Sequence, residues 1–138
     1  MKHRKDKFLL GVFLGILMVT MAVLSGCGAK AEPKPDPGSG KYLIYYLNSS
    51  LTKLVAQEYE TETKDQADLA EELMDQLLHV PRDLDCQPAV NEKVSFKTCR
   101  IDEQVLYLYF DGSYISMKPE QEILCRAALA RTMTQIPG

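Results

Sequence analysis

The N-terminus constrains this chain most, because it decides how much is left to fold. Met1-Lys2-His3-Arg4-Lys5-Asp6-Lys7 is a basic start. An apolar run from Phe8 to Leu24 follows, and Leu24-Ser25-Gly26-Cys27 closes it. A charged region, an apolar stretch and small residues at the cut make a secretory signal. With cysteine in the last position the stretch reads as a lipobox. Cleavage is expected between Gly26 and Cys27, and the Cys27 thiol is expected to carry diacylglycerol. Two acyl chains hold a bilayer stably where one does so only marginally, at roughly 0.8 kcal/mol per buried CH₂. The alternative is a retained membrane helix, but the run is short for a span of about 20 residues. Gly11, Gly15, Thr20 and Ser25 dilute it further. The expected location is the extracytoplasmic face of the cell membrane.

With residues 1–26 removed as a signal peptide, residues 27–40 read as a lipidated cysteine and tether. Pro33, Pro35 and Pro37 alternate among Gly and small polar residues. Such a stretch buries little apolar area and favours polyproline II geometry, reaching about 40 Å at roughly 3.1 Å per residue. Packing of this segment on the domain as a loop is the other reading. Residues 41–138 then suffice for one core. The signal holds four basic residues and one acidic one. The chain's 16 basic and 19 acidic residues therefore leave 12 against 18 in the mature protein, a net charge of −6. An acidic domain argues against nucleic acid and against electrostatic attachment to anionic lipid.

Tyr42 to Leu47 is β-branched and aromatic and reads as a buried strand. Asn48-Ser49-Ser50 is a turn, and Leu51 to Glu62 a second extended segment. Leu69, Leu73, Met74, Leu77 and Val80 recur at helical spacing, with Thr63 or Asp65 as cap and Pro81 as stop. Arg82 to Glu92 reads as a loop. Val94–Ile101 and Gln104–Phe110 form a hairpin around Asp102-Glu103. Its second arm is apolar or aromatic on both faces, which suits a central strand. Cys125, Ala128, Leu129, Thr132, Met133 and Ile136 make an amphipathic stripe in a helix starting near Pro119. The fold class is α+β: one small domain, an antiparallel-rich sheet and two amphipathic helices.

Little here supports catalysis. His79 is the one histidine outside the signal, and there is no nucleophile elbow and no phosphate loop. No two cysteines have metal-ligand spacing, so no metal, cofactor or catalytic residue is assigned. With Cys27 lipidated, Cys86, Cys99 and Cys125 remain, either as small buried hydrophobes or with one disulfide among them. Seven tyrosines fall in the domain. They read as core residues or as an exposed aromatic face, with Tyr45 and Tyr107 or Tyr109 sharing that face if their strands are neighbours.

The residues also resemble a known family. Tyr45-Tyr46-Leu47-Asn48, with Leu54-Val55 and Glu58-Tyr59-Glu60, is similar to the opening of a GerMN domain, the sporulation and germination module. Glu71-Glu72-Leu73 fits the helix that follows. Glu122-Ile123-Leu124-Cys125-Arg126-Ala127-Ala128, running on through Thr132-Met133-Thr134-Gln135-Ile136-Pro137-Gly138, resembles the family's most specific stretch. The resemblance spans residues 42–138. It implies an envelope assembly factor without catalytic residues, whose partners are envelope or spore-assembly proteins or further copies of itself. The family continues past Pro-Gly into another strand. The sequence given is therefore expected to be C-terminally truncated, or else to lack that strand and expose an edge. The alternative function is a lipoprotein that binds cell-wall glycan or a small ligand on its tyrosine-rich sheet face.

Overall fold

A computed structural model describes residues 33–138. Gly26 and Cys27, the lipobox and residues 27–32 of the expected tether lie outside them.

Strand β1 spans Lys41–Asn48 and is buried from Tyr42 to Leu47. It pairs antiparallel with β2, Leu54–Glu60, from Lys41 opposite Glu60 to Leu47 opposite Leu54. The turn between them is built on Asn48, whose side-chain carbonyl accepts from the backbone N–H groups of Thr52 and Lys53. A two-residue strand β3, Cys86–Gln87, adds to the other edge of β1 at Leu47 and Asn48. It lies in the segment read from sequence as loop, where two residues are too few to carry a period-2 signal.

Helix α1, Gln66–Leu78, is capped by Asp65, whose carboxylate accepts from Ala67 and Asp68 N–H. Its buried face is Leu69, Ala70, Leu73, Met74 and Leu77. Val80 falls outside the expected stripe and is 77% exposed. The helix stops before it because a residue preceding proline, here Pro81, is pushed toward extended geometry. The loop that follows ties back, Ala89 and Val90 both donating to the Leu77 carbonyl at the helix end.

Strands β4, Phe96–Asp102, and β5, Val105–Phe110, form a separate two-stranded sheet. This corrects two expectations. The sheet is two sheets, and β5 is no central strand: β4 is its one strand partner among the described residues. The tight connection is Glu103-Gln104, one residue later than expected, since Asp102 still pairs with Val105. Glu103 takes a left-handed φ of 55° there. Helix α2, Pro119–Met133, buries Cys125, Ala128, Leu129, Thr132 and Met133, the expected stripe except for Ile136, which lies past the helix end. The core lies where both helices meet β1, and its fully buried members include Leu43, Ile44, Leu47, Leu73, Met74 and Val90. Burying each such aliphatic side chain contributes about 1.5–3 kcal/mol.

The last residues of the expected tether are folded. Pro37–Ser39 form a 3₁₀ turn, and Asp36 and Lys41 exchange two backbone hydrogen bonds around it, at 2.9 and 3.0 Å. Gly40 closes the turn at φ 77°, where an added Cβ would lie 2.3 Å from the Thr61 carbonyl oxygen.

Candidate functional site

The free edge of β1 is closed by side chains. Beyond β3, the line of bonding groups on that edge continues at Tyr45 and Leu43. The Tyr45 N–H donates to Thr132 Oγ1 at 3.2 Å. The Leu43 N–H donates to Gln135 Oε1 at 2.8 Å, and Gln135 Nε2 donates back to the Leu43 carbonyl at 2.8 Å. One glutamine amide thus gives β1 the donor and acceptor that a neighbouring strand would give. This accounts for the Thr132 to Gln135 stretch in structural terms. A threonine and a glutamine three positions apart at a helix end were the available sequence signal.

The expected tyrosine face divides. Tyr45 is 6% exposed and lies under Arg131, whose guanidinium carbon is 4.1 Å from the ring centroid. It belongs to the core and shares no face with β5. Tyr107 and Tyr109 are 41% and 44% exposed on the outer side of the hairpin, beside Val105 at 51%. The cross-strand partners of these three are Arg100, Thr98 and Asp102. Arg100 lies 4.9 Å from the Tyr107 centroid and 3.6 Å from the Asp102 carboxylate. The inner side, with Leu106, Leu108 and Phe110, packs toward the core, Phe110 against Phe96 and Tyr114. β5 therefore alternates, with Leu106, Leu108 and Phe110 turned in and Val105, Tyr107 and Tyr109 turned out. Both sets count as apolar, so the strand's alternation does not show in its hydropathy, and the exposed aromatic face expected at Tyr107 or Tyr109 rests on residue type alone.

A second feature is polar. Tyr59 donates to Glu72 Oε1 at 2.6 Å, and Thr63 donates to Glu72 Oε2 at 2.6 Å. Thr63, one of two expected caps, is thereby engaged with α1's side rather than its end. Burial pushes the Tyr59 phenol up to about 12, helped by the hydrogen bond to Glu72 and the charge on it. Burial alone would raise the Glu72 carboxyl, but hydrogen bonds from Thr63, Tyr59 and Thr61 outweigh it and hold it below the usual carboxylate range. Nearby, a recess of about 340 Å³ is edged by Gln57, Tyr59, Asp75, His79 and Arg82. The Gln57 amide nitrogen is buried without a hydrogen-bond partner among the described residues. His79 sits 3.4 Å from the Asp75 carboxylate, both well exposed.

Cys86, Cys99 and Cys125 are free thiols. Burial raises the pKa of all three, that of Cys125 to about 11, so each is held as the poorly nucleophilic thiol. Among the described residues no group of three His, Cys, Asp or Glu is placed to hold a metal ion. No helix there is long and apolar enough to cross a membrane.

A family model, Germane, described as sporulation and spore germination, matches residues 43–138. No curated protein and no solved structure matches the chain.

Proposed function

This chain belongs to the Germane family, whose role lies in sporulation and spore germination, and on that footing we propose that it is a lipid-anchored, non-enzymatic interaction protein of the cell envelope. The reading has Cys27 holding the chain on the extracytoplasmic face of the membrane, while the domain docks envelope or spore-assembly proteins, or copies of itself. The observation that carries it is the outer face of the β4–β5 ribbon. Val105, Tyr107 and Tyr109 stand exposed there, rimmed by Arg100 and Asp102. Aromatic and arginine side chains supply much of the energy of protein interfaces, because they bury large area at low entropic cost.

A photo-crosslinking residue at position 109, introduced in full-length protein during sporulation, tests this. Envelope or spore-assembly proteins, or the protein itself, should be captured from position 109 and not from the exposed Glu58 on β2. Capture of cell-wall fragments alone would sink the interaction reading and transfer the tyrosines to stacking on sugar rings. In that case Tyr107 and Tyr109 would do so without Tyr45.

A further inference from the structure

In the recess between β2 and the end of α1, donors and acceptors are unevenly matched. Its volume is about 340 Å³, and its floor is Ile44 and the ring of Tyr46, both buried. Every residue that lines it falls between 44 and 82, within the part of the chain that the family model matches. The acids beside it are already served. Glu72 accepts from the Tyr59 and Thr63 hydroxyls, and Asp75 has His79 at 3.4 Å. The Tyr46 hydroxyl donates to the Gln76 carbonyl at 3.2 Å. Glu58 reaches the rim, but on an alternating strand Gln57 and Tyr59 are the residues turned toward α1. Two donors are left over. The Gln57 amide nitrogen is buried, and the Cys86 thiol next to it is a weak acceptor that does not stand in for a carbonyl. The Arg82 guanidinium forms no ion pair among the described residues, in a chain with 19 acidic residues against 16 basic ones. It lies by Tyr46: burial pushes the Tyr46 phenol up, and the Arg82 charge draws it back.

We propose that this recess binds a small carboxylic acid with a short apolar substituent. Buried donors without acceptors are uncommon in folded proteins, and each calls for a partner. A carboxylate ligand supplies acceptors to both donors at once. It pairs with Arg82, whose planar fork matches two oxygens. A carbonyl further along the ligand takes the Gln57 N–H once that half-buried side chain turns its amide into the recess. The apolar substituent lies on Ile44 and the Tyr46 ring. A neutral sugar would leave the guanidinium charge unmatched, and a cation would be repelled by it. Size follows from volume. The recess stands at the lower end of ligand pockets, which run from about 300 to 1,000 Å³, so the ligand is of amino-acid or short-peptide size. A free acid and the C-terminus of a short peptide share this chemistry. The site has no residue in common with the outer face of the β4–β5 ribbon, so it stands apart from the interaction reading above.

Nuclear magnetic resonance of the nitrogen-labelled mature chain in detergent, following the Gln57 side-chain amide and the Arg82 signals, tests it. N-acetylalanine stands for a free acid and acetyl-trialanine for a peptide end. The C-terminal amides of both lack the carboxylate. Either acid should shift both sets of signals, and the amides should bind at least about tenfold more weakly. Arg82 is exposed, so Arg82→Gln should keep the wild-type circular dichroism while weakening binding at least about tenfold. Gln57→Glu sets a like charge against the ligand and should abolish binding. Should Gln57→Glu fail to fold, Arg82→Gln alone decides. Tighter binding of N-acetylalanine makes the ligand a free acid, and tighter binding of acetyl-trialanine makes it a chain end. No shift with either acid at about 10 mM overturns the proposal. Equal shifts from the amides overturn it too, as does binding that survives Arg82→Gln.

Discussion

Gln135 satisfies both backbone groups of Leu43 from one side chain, so its truncation strands a donor and an acceptor in a half-buried place. Gln135→Ala should cost about 1–3 kcal/mol in denaturant unfolding, the usual consequence of leaving such groups unpaired. An equally stable variant would mean that solvent reaches that edge. Tyr59 gives a pH-dependent counterpart. Its phenol moves from 10.0 to about 12 on folding, so the folded state prefers the neutral form. The stability this confers is complete below pH 10 and is lost as pH rises toward 12. Denaturation midpoints followed through that interval should fall less steeply for Tyr59→Phe than for wild type. Both residues lie in stretches that carry the family resemblance, but their individual roles were not legible there. A lone glutamine and one tyrosine among seven carry no pattern, and their roles arise from partners far along the chain. Tyr45 shows the reverse. Its strand was legible, yet its side chain sits in the core because an element about 90 residues later supplies Arg131 to cover it.

At the scale of elements, periodicity served where one face of a segment is buried and the other wet. The stripes of α1 and α2 were legible because Leu69, Leu73 and Leu77, and Cys125, Ala128 and Thr132, recur at the helical period. Leu73 is fully buried at the centre of the first stripe. Leu73→Ala should destabilise the domain by about 2–5 kcal/mol, read from thermal or denaturant unfolding. A cost near zero would mean that α1 does not close the core. Where apolar residues fill both faces, the pattern misleads. β5 looks like a central strand because Tyr107 and Tyr109 are as apolar, by type, as Leu106 and Leu108. Turn chemistry misled by one residue for a related reason. Asp102-Glu103 is the more turn-like pair, but the ladder continues through Asp102, and Glu103 takes the left-handed conformation that glycine or asparagine usually fills.

For the whole molecule, residues 33–138 are described as folded, and the N-terminal segment before them is proposed to address the protein. The family relation was legible over nearly the whole domain, since the stretch that carries it includes Thr132 and Gln135, the residues that close β1. The division into two sheets was not legible, because pairing partners are set by long-range packing rather than by local pattern. The proposed anchor makes a plain prediction for the chain as a whole. Cys27→Ala should move the protein from the membrane fraction to the soluble one, or leave it as an unprocessed precursor, in fractionated cells. A variant that stays membrane-bound with its N-terminus removed would show that something other than the Cys27 lipid holds it.

The turn at Asp36–Lys41 has a mechanical consequence. If the lipid holds Cys27 in a bilayer while a partner holds the domain, tension along the chain enters the fold at this clasp. Two backbone hydrogen bonds at its mouth peel in succession, whereas a pull along β1 loads its whole ladder to β2 in shear. The clasp therefore yields first. Straightening residues 36–40 would release about 15 Å of chain, with the register of β1 intact. With the chain so anchored, the turn would act as a mechanical fuse, giving slack before the fold itself bears load.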